Sequence, residues 1–180
     1  GEGGGAFFLT AGNDGAIRVW DVGTYELAAR LQGHADAVTR LLVDGNILFS
    51  AGDDGTLRLW DLSVPAQGYQ LCSVQAHRRS VRDLAAVPDL GLVATCAGDG
   101  KIKLWDASLG SGAQAAGPTL VEEFAHSDEL QCVAWRASTG AVLAGTASGL
   151  IVSFKVSPAT VEACRAKAAE DLAFGAALLE

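Results

Sequence analysis

The sequence predicts an all-β fold in which short antiparallel meanders are repeated along the chain and a helical tail follows. Short runs of branched and aromatic residues alternate with Asn/Asp/Gly turns, which is typical of antiparallel strands joined by tight connections. A Gly-His or Ala-His pair opens three units, and a Trp-Asp pair closes three. Trp20, Trp60 and Trp105 are 40 and 45 residues apart, so one structural unit recurs.

The most complete unit spans residues 34–75. Its first three strand-like runs are separated by turns at 44–46 and 53–55, and the third run ends in Trp60-Asp61. A fourth run follows and gives the unit an outer strand. We therefore predict a four-stranded antiparallel sheet here.

The units on either side follow the same plan. Residues 6–33 predict a partial unit of three strands whose opening strand is missing. Residues 76–124 predict a second complete unit, which contains a Gly/Ala/Ser-rich stretch at 107–117 with the composition of a flexible connection. Residues 125–156 predict a degenerate unit, in which Phe154 stands in place of the closing Trp.

The two ends of the chain differ from the repeated units. Residues 157–180 predict a helical tail, because Ser157 suits an N-cap and Pro158 suits the first helical position. We expect Gly175 to interrupt this helix. The Gly-rich residues 1–5 predict a disordered start. The chain contains no methionine, and we expect it to be a piece of a longer protein.

The composition bounds the function classes. A formal charge of −8 disfavours binding to a phosphate backbone, so nucleic acid is not an expected partner. No apolar run approaches the roughly 18–20 residues of a membrane span, and no leader is present, so no membrane association is expected. The four cysteines are sparse and form no Cys-x-x-Cys pair, which predicts free thiols in a reducing, intracellular compartment, cytoplasmic or nuclear.

The opening His, the closing Trp-Asp and the unit length make residues 5–156 similar to the WD40 repeat family of β-propellers. The resemblance implies a partial propeller of about three and a half four-stranded blades. Related propellers close with about 4–8 blades, so we expect an open arc. Uncovered blade faces and strand edges invite association, and the isolated chain is therefore expected to self-associate.

The resemblance also implies a buried hydrogen-bonded network in each blade. In the family, an indole N–H bonds a strand hydroxyl, the hydroxyl bonds an imidazole, and the imidazole bonds a turn carboxylate. An unpaired buried polar group costs about 1–3 kcal/mol, so such a network fixes the strand register. The matching positions are Thr10, Asp14 and Trp20; His34, Ser50, Asp54 and Trp60; and His77, Thr95, Asp99 and Trp105. The fourth unit keeps His126 but is expected to lack the network.

A hydrolase triad has the same Ser/His/Asp composition, so a propeller-fold enzyme is an alternative. The set recurs in each unit, however, no Gly-x-Ser-x-Gly elbow is present, and each hydroxyl has an indole to satisfy. Three histidines placed one per blade would not converge on one metal ion. We therefore predict no enzymatic activity, no cofactor, no metal and no small-molecule substrate.

The resemblance implies that partners dock on the face that carries the His loops and Asp turns. Contact positions in related domains lie three and five residues after the His and just before the turn Asp. Here they are Asn13; Ala37, Thr39 and Asp53; Ser80, Arg82 and Gly98; and Glu129, Gln131 and Ala147. Among them, Arg82 is the residue type favoured at interaction hot spots. The predicted function is a scaffold that binds other proteins or peptides in a multiprotein complex.

A second interpretation rests on the basic loop at residues 77–82, which contains His77, Arg78, Arg79 and Arg82. Clustered arginines recognise acidic or phosphorylated peptides. The alternative function is therefore a phosphopeptide reader or a nucleic-acid- or chromatin-associated reader, although the acidic balance of the chain disfavours nucleic acid.

Overall fold

The structure is a computed structural model that describes residues 6–107 and 117–177, with side chains up to residue 169. The predicted disordered start at residues 1–5 lies outside the described residues, as does most of the predicted flexible connection at 107–117.

Fourteen strands in the described residues form four antiparallel sheets. The first sheet contains β1 (Phe7–Ala11), β2 (Ala16–Asp21) and β3 (Leu27–Gln32). The second contains β4 (Val38–Asp44), β5 (Ile47–Gly52), β6 (Thr56–Asp61) and β7 (Tyr69–Gln75). The third contains β8 (Val81–Val87), β9 (Leu92–Ala97), β10 (Lys101–Asp106) and β11 (Thr119–Ala125). The fourth contains β12 (Leu130–Arg136), β13 (Ala141–Thr146) and β14 (Ile151–Lys155).

Helix α1 (Pro158–Ala177) follows the last sheet, and its N-terminus is capped by Ser157, whose Oγ accepts the N–H of Thr160. The all-β architecture with a C-terminal helix is confirmed. The expected interruption at Gly175 is wrong, because the helix continues through it. One interior glycine costs a helix only about 1 kcal/mol, and the backbone can remain helical there. No helix in the described part of the chain is long and apolar enough to cross a membrane.

Consecutive sheets pack face to face through three buried apolar clusters. The first cluster joins the first two sheets and includes Ile17 and Trp60. The second joins the second and third sheets and includes Leu57 and Trp105. The third joins the third and fourth sheets. Among the described residues no cluster joins the fourth sheet to the first, so the sheets form an open arc.

The turn between the second and third strands of each complete blade is pressed against the His loop of the next. Gly55 and Gly100 both have φ near +75° in these turns. A Cβ on Gly55 would lie 2.6 Å from the carbonyl oxygen of His77, and one on Gly100 would lie 2.5 Å from that of His126. Both positions therefore require glycine, because φ is positive and because a Cβ would clash with a backbone oxygen. This close contact places the Asp turn of each blade beside the His loop of the next.

A second recurring irregularity lies at the start of each inner strand. Each of these strands has one residue that is not paired in register with the neighbouring strand. The unpaired residue is Thr39 in β4, Arg82 in β8 and Gln131 in β12. A β-bulge re-aims the side chain that it carries. The three bulged residues all occupy the predicted contact position five residues after the His.

Candidate interaction face and the network beneath it

The network in the second sheet connects β5, β6 and the loop before β4. Trp60 donates its indole N–H to Ser50 Oγ at 2.8 Å, and His34 Nε2 lies 2.8 Å from the same oxygen. His34 Nδ1 lies 3.0 Å from Asp54 Oδ2. The charged carboxylate can only accept, so Nδ1 carries the proton and donates it to Asp54. Nε2 of the neutral imidazole then accepts from the Ser50 hydroxyl, which itself accepts from the indole. All members are thereby satisfied with a neutral imidazole.

The electrostatics agree with that protonation state. Burial lowers the pKa of His34 below its ordinary value, against the opposing effect of the Asp54 carboxylate. Burial by itself would raise the pKa of Asp54, but the N–H groups of Thr56 and Ala35 stabilise the carboxylate and bring its pKa below the ordinary value. The pair is therefore a neutral imidazole that donates to a charged carboxylate.

The third sheet repeats the arrangement with a threonine. Trp105 donates to Thr95 Oγ1 at 3.0 Å, and His77 Nε2 lies 2.7 Å from that oxygen. His77 Nδ1 is 3.1 Å from Asp99 Oδ1. The side chain of His77 is buried, and burial lowers its pKa.

The first sheet holds only part of the set. Trp20 donates to Thr10 Oγ1 at 2.9 Å, but both groups are partly open to solvent. Asp14 instead pairs with Arg18, whose guanidinium lowers the pKa of the carboxyl to about 2. The structure thus brings Thr10 and Trp20 of this copy together, whereas Asp14 pairs with an arginine and not with an imidazole.

In the second, third and fourth sheets, two of the predicted contact positions are joined by one backbone hydrogen bond. In each pair, the residue before the turn Asp donates its N–H to the carbonyl of the third residue after the His. In the fourth sheet, Ser148 stands in place of the turn Asp. The bonds join Asp53 to Ala37 at 2.8 Å, Gly98 to Ser80 at 3.1 Å, and Ala147 to Glu129 at 2.9 Å. Three of the four sheets therefore present the same paired positions at the same end.

Contacts across the sheet boundaries connect these pairs into one surface, which we call the loop face: residues 37–39 and 53, 78–82 and 98, and 129–131 and 147. Thr39 Oγ1 donates to the carbonyl of Val81 at 2.6 Å, which ties the second sheet to the third. Arg82 Nη1 lies 3.9 Å from Asp53 Oδ1 across the same boundary. Arg79 Nη1 pairs with Glu129 Oε1 at 2.6 Å and ties the third sheet to the fourth.

Asn13 is exposed in the turn between β1 and β2, at the opposite end of the arc from Glu129 and Gln131. Gln131 is exposed on β12. The structure therefore gathers the contact positions of the second, third and fourth sheets, and Asn13 extends them toward the first.

Comparison with known proteins places this architecture in a family. The model of the WD domain, G-beta repeat, matches residues 3–21, 25–61 and 68–106, which together exceed half of the chain. The chain belongs to the WD40 repeat family. The comparison with curated proteins gives no match.

Two solved structures similar to the chain are computationally designed proteins. Ika4 is 26% identical, with a TM-score of 0.68 over 84% of this chain and 86% of Ika4. Ika8 is also 26% identical, with a TM-score of 0.67 over 83% of this chain but only 43% of Ika8. The arc therefore matches most of one design and less than half of the other.

WD40 domains are generally non-catalytic scaffolds, and the network geometry fits that role although it contains Ser, His and Asp. The hydroxyl of Ser50 lies between the indole and the imidazole and its side chain is 0% exposed. A nucleophile must reach a substrate carbonyl, which this oxygen does not. Within residues 6–107 and 117–169, no three His, Cys, Asp or Glu side chains are grouped as metal ligands.

The fourth sheet, which the residues matched by the family model do not reach, has a substitute network that the sequence pattern did not reveal. His126 Nδ1 accepts the N–H of Asp128 at 3.1 Å, and Asp128 Oδ2 accepts the N–H of Ser148 at 2.9 Å. The Ser148 contacts lower the pKa of Asp128 to about 2. Thr146 Oγ1 bonds Ser148 Oγ at 2.9 Å. Ser148 stands at the repeat position of the turn Asp, but Asp128 and Thr146 lie outside the network positions of the other units, so the repeat pattern does not indicate their contacts.

The basic loop at residues 77–82 is balanced by acidic neighbours. His77 belongs to the buried network, and Arg79 and Arg82 face Glu129 and Asp53. The adjoining cleft between the third and fourth sheets, of about 430 Å³, is lined by both signs of charge, including Arg78, Lys101, Asp128 and Glu129. The surface is therefore mixed in charge.

Proposed function

We propose that this WD40 chain is a non-catalytic scaffold that binds another protein or peptide on its loop face and so helps to assemble a multiprotein complex. The observation that carries the proposal is the continuity of the loop face. Three sheets present identically bonded position pairs, and Thr39 and Arg79 connect them across the sheet boundaries. A preorganised surface loses little conformational entropy when a partner binds.

Arg82 supplies the binding chemistry at the centre of the loop face. Its side chain is 39% exposed, and its nearest carboxylate oxygen, Asp53 Oδ1, is 3.9 Å away, too far for a hydrogen bond. Asp53 Oδ1 is itself buried without a hydrogen-bond partner. A guanidinium has five N–H donors, so a carboxylate or carbonyl of a docked segment would find unused donors here.

The charge pattern supports a mixed-charge protein segment over a phosphopeptide or a nucleic acid. Two of the three arginines in the basic loop already face carboxylates of neighbouring sheets. A phosphate would have to approach these carboxylates, and the chain as a whole carries a formal charge of −8. Four free cysteines are compatible with the reducing, intracellular location that we propose.

The test compares Arg82→Glu with Arg136→Glu, since Arg136 is exposed at the opposite end of β12. Proteins captured by the parent chain are identified, and the affinity of each is then measured by calorimetry for both variants. We expect Arg82→Glu to weaken binding about 10–100-fold and Arg136→Glu to leave it unchanged.

The melting temperature of Arg136→Glu should remain near that of the parent, because this side chain is exposed. Arg82→Glu places a second carboxylate near Asp53 and should lower the melting temperature, so circular dichroism at the temperature of the binding experiment verifies that it is folded. Partners that bind both variants equally would contradict the loop-face proposal. A duplex DNA or phosphopeptide that the parent binds and Arg82→Glu does not would support the reader function instead.

A further inference from the structure

We propose that a cavity between the second and third sheets binds a tryptophan side chain of a partner protein, and that basic residues flank this tryptophan. Each of these two sheets packs against a neighbouring sheet on both sides. The inference does not depend on the proposed function, because the loop face gathers at the start of β4 and the cavity lies at the end of that strand.

The cavity lies where the apolar cluster between the two sheets reaches the turns opposite the loop face. Its volume is about 390 Å³, within the range of about 300–1,000 Å³ that is typical of ligand-binding clefts. The residues that line it include Leu42, Ile47 and Phe49 of the second sheet and Ala86, Pro88 and Val93 of the third. Phe49 and Val93 are 4% and 5% exposed, so the apolar lining continues into the buried cluster.

The next boundary along the arc shows which group fills the equivalent place. There Trp135 of β12 packs against the cluster between the third and fourth sheets. Its indole N–H donates to Asp89 Oδ2 at 3.1 Å, and Asp89 lies between β8 and β9 of the third sheet. At this boundary an indole is therefore held by apolar side chains and by a carboxylate from the turn of the preceding sheet.

Between the second and third sheets, the residue equivalent to Trp135 is Ala86. Both residues lie nine positions after the opening His of their unit. Each also pairs in register with a valine of the next strand, Ala86 with Val93 and Trp135 with Val142. Because Ala86 has only a methyl side chain, the place that an indole fills at one boundary is open at the other.

A second small side chain enlarges the opening. Ala107 follows the closing Trp-Asp pair of the third unit and also lines the cavity. The same repeat position holds Leu62 in the second unit and Val156 in the fourth, and both of these larger side chains pack in apolar clusters. The cavity therefore arises from small residues at two repeat positions whose equivalents at the other boundaries are large.

Asp44 supplies a hydrogen-bond acceptor at the cavity. It pairs in register with Ile47, which packs against the cluster between the second and third sheets. Register partners lie on the same face of a sheet, and Asp44 accordingly lines the cavity. Among the described residues, its side chain has no hydrogen-bond or ion-pair partner. A tryptophan in the cavity would find this carboxylate for its indole N–H, as Trp135 finds Asp89.

The turns beside the cavity are negatively charged. Residues 43–47, 61–68 and 87–92 contain the carboxylates Asp44, Asp61 and Asp89 and no lysine or arginine. Charge complementarity across an interface speeds association and excludes like-charged partners. The segment that fits this site therefore carries lysine or arginine beside its tryptophan.

The test titrates the whole isotope-labelled 180-residue chain with three short blocked peptides, Lys-Trp-Lys, Lys-Leu-Lys and Glu-Trp-Glu, and follows its amide resonances by NMR. We expect Lys-Trp-Lys to shift the amides of residues 42–47 and 86–93. The leucine peptide lacks the N–H donor and the acidic peptide is repelled, so each should bind at least about tenfold more weakly.

Two variants locate the site. Asp44→Ala should weaken Lys-Trp-Lys about tenfold, since it removes a charged acceptor. Asp36→Ala is the matched control, because it makes the same charge change at an exposed residue of the His34 loop, and it should leave the affinity unchanged. Ala86→Trp should abolish binding, because it places an indole where Trp135 lies at the next boundary. Circular dichroism verifies that each variant is folded.

Several results would overturn the proposal. One is a parent chain that does not bind Lys-Trp-Lys, as expected if another part of the chain or a second copy already fills the cavity. Equal binding of the three peptides would show that neither the indole nor the basic flank is recognised. Shifts confined to the loop face, or equal affinities of Asp44→Ala and Asp36→Ala, would place the peptide elsewhere.

Discussion

The buried hydroxyl of the network can be tested with one substitution made at two equivalent positions. Thr95→Val and Thr10→Val remove the same hydroxyl from the same repeat position and keep the side-chain shape. Thr95 is 0% exposed and bonds both Trp105, at 3.0 Å, and His77, at 2.7 Å. Among the described residues, Thr10 bonds Trp20 alone, at 2.9 Å, and it is open to water.

The expected difference follows from which groups lose their partner. Thr95→Val leaves an indole N–H and an imidazole nitrogen buried and unpaired, at about 1–3 kcal/mol each, so the loss should be about 2–4 kcal/mol after partial relaxation. In Thr10→Val, water replaces the hydroxyl at the Trp20 indole, and the loss should stay below about 1 kcal/mol.

Urea unfolding followed by far-UV circular dichroism measures both values, because a shift in midpoint with an unchanged slope is a change in stability. Equal losses in the two variants would refute the reasoning, as would a loss below about 1 kcal/mol for Thr95→Val. Either result would mean that packing alone, and not the satisfied network, stabilises the third blade.

Two further predictions concern the His loops and the turns beneath them. Burial lowers the pKa of His34 and His77 below 6.5 in the folded chain. The unfolded state therefore binds more protons as the pH falls below that value, and the free energy of unfolding should fall by up to about 1.4 kcal/mol per pH unit per histidine. Urea midpoints at pH 7.5 and 5.5 measure this loss. A flat profile would contradict neutral buried imidazoles. Gly55→Ala should destabilise the chain more than Gly45→Ala, because both have positive φ but only Gly55 has a backbone oxygen 2.6 Å from the added Cβ; equal midpoints would show that the turn yields easily.

The amino-acid sequence by itself determined the repeated plan of this protein. Strand runs, Asp-Gly turns and the period between tryptophans are local or periodic signals, because alternation and turn chemistry act within a few residues. The network of the second and third blades was implied by the resemblance to the WD40 family, whose repeat places these residues at fixed offsets from the closing Trp. His34, Ser50 and Asp54 meet as those offsets require.

Only the tertiary structure decided which side chains meet between blades. Asp83 is 6% exposed and accepts Arg40 Nε at 2.6 Å from the second sheet and the N–H of Val133 at 3.0 Å from the fourth. Nothing in the local pattern indicates this three-sheet contact, because it depends on the bulges in the inner strands and on how neighbouring sheets are rotated. Phe8 and Leu48 occupy equivalent positions in the sequence, yet one is exposed and the other buried. Burial depends on the neighbouring sheet and not on the repeat itself.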